Sequence, residues 1–342
     1  MKKLLTVALL TLTAAVGASI KGEAPKSFGA ACSSVMFCSI QDYCANIEGV
    51  QSQIPWGMEL SADKQCVPRP VGEKSKPLPI TSGEDFYRSD LRYQFTAPTD
   101  WMVKDYPVFV LVHGGGWTMG NKEEVQYMAD FLAQRGFKVF SIQYRLSQQG
   151  VFNPAYQMPM PMEDVDSFMK YLMDNKKRFA IEHANVSIGG PSAGGHLSLY
   201  EAIHTNKMYY QCAVSIAGPT QLDQVIPDLD VNLTWQSRDQ RDQMQSFVES
   251  LLVAAAPDVS TQQKYSVLYQ MPYIRAERVH FVHNTHDYLV NYQQSWRALQ
   301  LLKGKKSATM HTVLGSEYND YGHSLTNALI LREWEKILPE CY

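Results

Sequence analysis

Residues 106–112 read YPVFVLV, an apolar run of strand length with no polar face to offer solvent. A strand of that kind must be covered on both sides, the condition inside a parallel sheet with helices above and below. The residues that follow keep to this pattern. KEEVQYMADFLAQRG puts Val125, Met128, Phe131 and Leu132 on one helical face, with Gly136 placed as a C-terminal cap. FKVFSIQY (137–144) is the next strand, and MEDVDSFMKYLMDN the next helix, with Val165, Phe168, Met169 and Leu172 facing inward. NVSIGG (185–190) then leads into a helix opening at Ser192. CAVSIAG (212–218), RVHFVHN (278–284) and ATMHTVL (308–314) are three further strands. Serial strand–helix alternation predicts an α/β fold whose mainly parallel sheet is flanked by helices.

Two stretches depart from this rhythm. Between about 219 and 273 no strand is expected, and DQMQSFVESLLVAAAP has an amphipathic helical pattern, so this interval reads as a helical cap insertion. Residues 19–79 hold four of the six cysteines, Cys32, Cys38, Cys44 and Cys66, and end in the linker-like RPVGEKSKPLP. They read as a small Cys-rich extension ahead of the main domain over 80–342. Upstream, Lys2 and Lys3 precede an apolar run from Leu4 to Val16, with small residues at Val16 and Ala18. That is the pattern of a signal peptide over 1–18, too short for a spanning helix, and it predicts a secreted protein, or a periplasmic or lumenal one if the host retains it. No stable membrane insertion is expected after its removal.

Export permits oxidation, so disulfides are the expected state of the cysteines. Cys212 and Cys341 are placed to close a late bridge; the alternative for Cys212 is a buried free thiol beside its strand. No CxxC pair or Cys/His spacing points to zinc. The net charge of −3 and the lack of a basic stripe argue against a nucleic-acid partner. Two sequons occur, at Asn185 and Asn232; Asn185, at the start of a strand expected to be buried, is the poorer acceptor.

The chemistry gathers around Gly190-Pro191-Ser192-Ala193-Gly194, a G-x-S-x-G motif between a strand and a helix. An abrupt strand-to-helix turn holds such a serine in a strained conformation with its hydroxyl exposed. A second element, His113-Gly114-Gly115-Gly116-Trp117, follows the most apolar strand. Consecutive glycines let backbone N–H groups face a developing oxyanion, and no Lys-Ser/Thr follows as a phosphate loop would need. His113 itself reads as a loop organiser. Among the nine histidines, His196 lies on the helix after Ser192, and His280 and His283 project to opposite faces of a strand, which argues against a metal there. His323, in YNDYGHSL after the last strand, stands where the order Ser…Asp/Glu…His puts the base. Asp287 follows the penultimate strand at its carboxyl end and is preferred as the orienting acid over Glu317 and Asp320.

Taken together, these motifs resemble the α/β-hydrolase fold, and more closely the HGGG-containing carboxylesterases of the hormone-sensitive-lipase and feruloyl-esterase-like groups. The resemblance covers roughly residues 80–342. It implies Ser192 as nucleophile, His323 as base, Asp287 as orienting acid, and Gly115, Gly116 and Ala193 as oxyanion donors. It makes Arg145 in QYRLS structural. Pro191 before the serine and Gln143 in place of the family's Asp are departures that remove no reacting group.

The expectation is a secreted serine carboxylesterase acting on short-chain or aromatic acyl esters, small or polysaccharide-linked, with no metal or organic cofactor. Its rivals are an amide hydrolase of the arylformamidase or peptidase type on the same residues, and a hydrolase-fold binding protein without catalysis.

Overall fold

The computed structural model describes residues 58–60, 66–68, 76–147, 156–181, 183–206, 208–230, 237–313, 323 and 327–342. Residues 1–18, read above as a signal peptide, and Cys32, Cys38, Cys44, Asn232, Glu317 and Asp320 lie outside them. The chain divides into two compact units, 1–72 and 73–342. In the first, strands β1 (Met58–Leu60) and β2 (Cys66–Pro68) pair antiparallel.

The second unit is built on one eight-stranded sheet. Its strands are β3 (Ile80–Arg88), β4 (Leu91–Pro98), β5 (Val108–Val112), β6 (Lys138–Ile142), β7 (Val186–Pro191), β8 (Tyr210–Ile216), β9 (Ala276–Asn284) and β10 (Ser307–Val313). They lie in the order β10-β9-β8-β7-β5-β6-β4-β3. From β10 through to β6 every neighbouring pair is parallel; β4 on β6 and β3 on β4 are antiparallel.

The apolar run that predicts a doubly covered strand is β5, buried along its whole length. Val108, Val110 and Val112 pack into one core, with residues of α2 (Met160–Asp174), α3 (Ala193–His204) and α7 (Gln293–Leu302). Phe109 and Leu111 pack into the other, with α1 (Gln126–Ala133) and α8 (Asn327–Ile337). Alternate side chains of one strand thus feed cores on opposite faces, as the pleat requires. The helical faces read from the sequence of α1 and α2 are buried.

The hairpin β3–β4 is unexpected from the sequence, where no continuous apolar run marks it. β3 is an edge strand exposed over most of its length, so it carries no such run. Between 219 and 273 the described residues contain helices and no strand: α4 (Val225–Asp230), α5 (Arg238–Ala255) and α6 (Val259–Tyr265), with short 3₁₀ turns. Val225, Leu229 and Val248 form a small core of their own, while Leu252, Ala255 and Ala256 join the main one.

Long-range ties fasten the unit, among them a disulfide and a buried carboxylate. Cys212 in β8 is bonded to Cys341, 129 residues on, with Cα atoms 5.4 Å apart, so the expected late bridge is present. Asp164 of α2, fully buried, accepts from Arg88 at 2.7 Å and from Arg145 at 2.6 Å, which is the structural role expected of Arg145. Asn185 differs from expectation: it precedes β7 and its side chain is exposed, because burial begins only at Val186.

Candidate active site

Ser192 occupies the single position between the end of β7 and the start of α3. Its backbone is at φ 52°, ψ −124°, a left-handed conformation rare outside glycine. The flanking glycines are there because backbone comes too close for anything larger. A methyl carbon built on Gly190 would sit 1.9 Å from the Val112 carbonyl oxygen, and one on Gly194 would sit 2.0 Å from that same oxygen. The end of β5 therefore presses on both sides of the turn, and G-x-S-x-G is the sequence trace of that contact. A serine at a helix N-cap ordinarily bonds its own helix. Ser192 makes no such cap bond; its Oγ lies 2.9 Å from His323 Nε2.

His323 Nδ1 in turn lies 2.8 Å from Asp287 Oδ2. Asp287 is fully buried at the turn after β9, where its Oδ1 accepts from the N–H groups of Leu289 and Val290, both at 2.9 Å. Burial alone would disfavour its charge; its electrostatic interaction with His323 and its hydrogen bonds with His283 and His323 overcome that and hold the carboxyl well below the usual range. The structure thus brings Ser192, His323 and Asp287 into one hydrogen-bonded line. A carboxylate accepts only, so His323 Nδ1 carries a proton and Nε2 is the basic nitrogen facing the hydroxyl.

The other histidines near the serine are occupied. His196 on α3 accepts from Trp117 Nε1 at 3.2 Å and donates to the Tyr265 carbonyl at 2.9 Å. His113 donates to the Gly114 carbonyl at 2.8 Å and stacks on Tyr144. Burial pushes both pKa values down to about 4. His113 is the loop organiser that its position suggests.

Sequence reasoning missed His283. Its Nε2 donates to the Val290 carbonyl at 2.8 Å and also faces Asp287 Oδ2 at 3.2 Å, while Nδ1 accepts from Ser295 Oγ at 2.7 Å. Asp287 is therefore gripped by two histidines, one from the preceding strand. The i,i+4 spacing of His283 and Asp287 across a strand end is the signal that could have revealed it.

The glycine loop lies against this line. A methyl carbon on Gly114 would sit 3.3 Å from Ser192 Cβ. Gly115 (φ 105°) and Gly116 (φ 57°) take left-handed turns, closed by Thr118 and Met119 donating to the Gly115 carbonyl at 3.1 and 3.0 Å. The Gly116 turn faces Leu251 of α5, whose Cδ1 is 2.7 Å from where a Cβ would be, so the insertion supplies an apolar wall beside the loop. Ala193 stands at the first position of α3, where backbone N–H groups are not used within the helix. Among the described residues, the group able to ligate a metal is Cys212, His280 and Cys341. Cys212 is near the amino end of β8, whereas Ser192 and Asp287 follow the carboxyl ends of their strands.

Comparison with known proteins places this geometry in context. The BD-FAE family model matches residues 96–302. Esterase LipC of Mycobacterium tuberculosis is 27% identical over 162 residues, 46% of this chain and 38% of LipC. An acetylxylan esterase of Xylanibacter ruminicola is 35% identical over 88 residues, 25% of this chain and 17% of that enzyme. The chain thus aligns with well under half the length of either relative. Among solved structures, esterase B from Lactobacillus rhamnosis superimposes with a TM-score of 0.60 at 16% identity, covering 77% of this chain and 87% of that one. That likeness shows the α/β-hydrolase fold.

Proposed function

The chain belongs to the BD-FAE family of α/β-hydrolase esterases, and from that premise we propose that it is a serine carboxylesterase. The observation that carries the proposal is the hydrogen-bonded line Ser192 Oγ–His323 Nε2, His323 Nδ1–Asp287 Oδ2. Ser192 attacks the ester carbonyl and gives its proton to His323 Nε2. The backbone N–H groups of Gly115, Gly116 and Ala193 receive the oxyanion. His323 then protonates the leaving alcohol, and the acyl group stays on Ser192. Water, activated by His323, hydrolyses the acyl-enzyme and returns the proton to the serine. Asp287 remains ionised throughout; it orients the imidazole and stabilises imidazolium.

The substrates proposed are short-chain or aromatic acyl esters, including acyl groups carried on polysaccharide. The Leu251 wall beside Gly116 supports a confined acyl site, and the acetylxylan esterase relative supports a carbohydrate ester. Export by way of residues 1–18 is part of the same proposal and would put the enzyme where such polymers are found.

The test is hydrolysis of p-nitrophenyl esters from acetate to palmitate, with Ser192→Ala in parallel and labelling by a fluorophosphonate probe. Activity that peaks at short chains, labelling of the wild type, and loss of both in Ser192→Ala are expected. A folded wild type that neither cleaves any ester nor takes up the probe would return the chain to the binding-protein reading. Faster cleavage of acyl anilides than of esters would favour an amide hydrolase.

A further inference from the structure

Away from the serine, β8, β9 and the segment after α8 bring three soft or borderline ligands together. Cys212 Sγ, Cys341 Sγ and a ring nitrogen of His280 lie within 4.8 Å of one another, all three side chains buried. The tautomer of His280 follows from a chain of contacts. Glu333 of α8 is a buried carboxylate held ionised by Arg332 and Lys336, and it accepts from its neighbours. His311 Nδ1 lies 3.5 Å from Glu333 Oε2, so that nitrogen carries the proton. His311 Nε2 is then an acceptor, and it lies 3.3 Å from His280 Nδ1. The proton of His280 is on Nδ1, and its Nε2 presents a lone pair.

That lone pair has no hydrogen-bond partner among the described residues. The nearest carboxylate oxygen, Glu340 Oε2, is 3.8 Å away and cannot donate. A carboxylate–histidine–histidine relay that ends in an unpartnered imidazole lone pair is the arrangement that orients a metal ligand. We propose that Cys212, Cys341 and His280 hold a zinc ion when the disulfide is reduced, with the fourth position taken by water. The oxidised bond and the metal are then alternative states of the same two sulfurs.

The exchange balances. A dithiol reductant gives two electrons and two protons to the Cys212–Cys341 bond, yielding two thiols, and becomes a disulfide itself. Zinc(II) displaces the two thiol protons, which pass to solvent, and takes both thiolates, with His280 Nε2 as the third ligand and a water completing the tetrahedron. Ligand atoms in such a tetrahedron stand roughly 3.3–3.8 Å apart, within the span of the present cluster. The site requires the sulfurs to separate, a movement assigned to Cys341 in the short turn after Leu338–Glu340.

The full chain, reduced with a phosphine and folded as judged by near-UV circular dichroism, is titrated with zinc, or with cobalt(II) as a spectroscopic stand-in. One metal per chain, thiolate-to-cobalt charge-transfer bands and protection of both cysteines from iodoacetamide are expected; the oxidised protein should show none of these. His280→Ala should lose the cobalt bands, and His311→Phe should weaken zinc by about 10–100-fold. Reduced, folded wild type that binds zinc no more tightly than His280→Ala overturns the proposal. If reduction unfolds the chain, zinc during refolding should restore the near-UV signal in wild type and not in His280→Ala. Equal recovery in the two, or none in either, overturns it as well.

Discussion

Ser192 illustrates how a strained residue is used. Its φ of 52° is unfavourable for a residue with a Cβ, and the same conformation turns its hydroxyl away from its own helix and toward His323. Asp287 has the complementary part. With Oδ1 taken by two backbone donors, Oδ2 is left to face His323 and His283. Asp287→Asn should lower kcat on the order of 10⁴-fold, since an amide that donates to Nδ1 stabilises the wrong tautomer. Steady-state kinetics on a short acyl ester checks this, with KM expected to change far less. The folded pKa of Asp287 is depressed, so its charge contributes stability above the ordinary aspartate value of about 3.9, lost as pH falls toward the folded value. The difference in melting temperature between wild type and Asp287→Asn should therefore be full at pH 7 and shrink below about pH 4. A constant difference across that range would contradict the assigned charge state.

At the level of elements, the turn from β7 to α3 is defined by its contact with the end of β5. Gly194→Ala drives a methyl group to 2.0 Å from the Val112 carbonyl and 2.6 Å from that of His113, both backbone atoms that cannot swing aside. It should destabilise by about 1–3 kcal/mol or more and displace Ser192 enough to depress activity; thermal melting and ester turnover report the two effects. Leu251 is the point where the helical insertion meets the glycine loop. Leu251→Ala should move the preferred p-nitrophenyl ester toward longer acyl chains, by about 10-fold in relative kcat/KM, because each methylene accommodated is worth about 1–3 kcal/mol. An unchanged chain-length profile would remove Leu251 from the acyl site. The parallel strands were readable because burial on both faces writes a continuous apolar run. The edge hairpin β3–β4 was not, since its outer strand is exposed over most of its length.

Over the whole molecule, the Cys212–Cys341 bond ties β8 to a segment 129 residues later. In the oxidised protein Cys341→Ser should cost about 2–5 kcal/mol of stability, measured by denaturant unfolding, as release of a long loop implies. Much of the organisation at this scale was legible in one dimension. Periodicity foretold the layered sheet because side-chain spacing on strands and helices is a local property. Ser192 and Asp287 stand out in the sequence because each follows the carboxyl end of a strand, and His323 because it comes after the last strand in chain order. What required the tertiary structure is whatever depends on residues meeting across the sheet. Neither the second grip of His283 on Asp287 nor the gathering of His280, His311 and Glu333 beside a disulfide is encoded in any short spacing. Such contacts arise from the register of neighbouring strands and the packing of α8, and local patterns carry no record of which distant side chains will share one buried space.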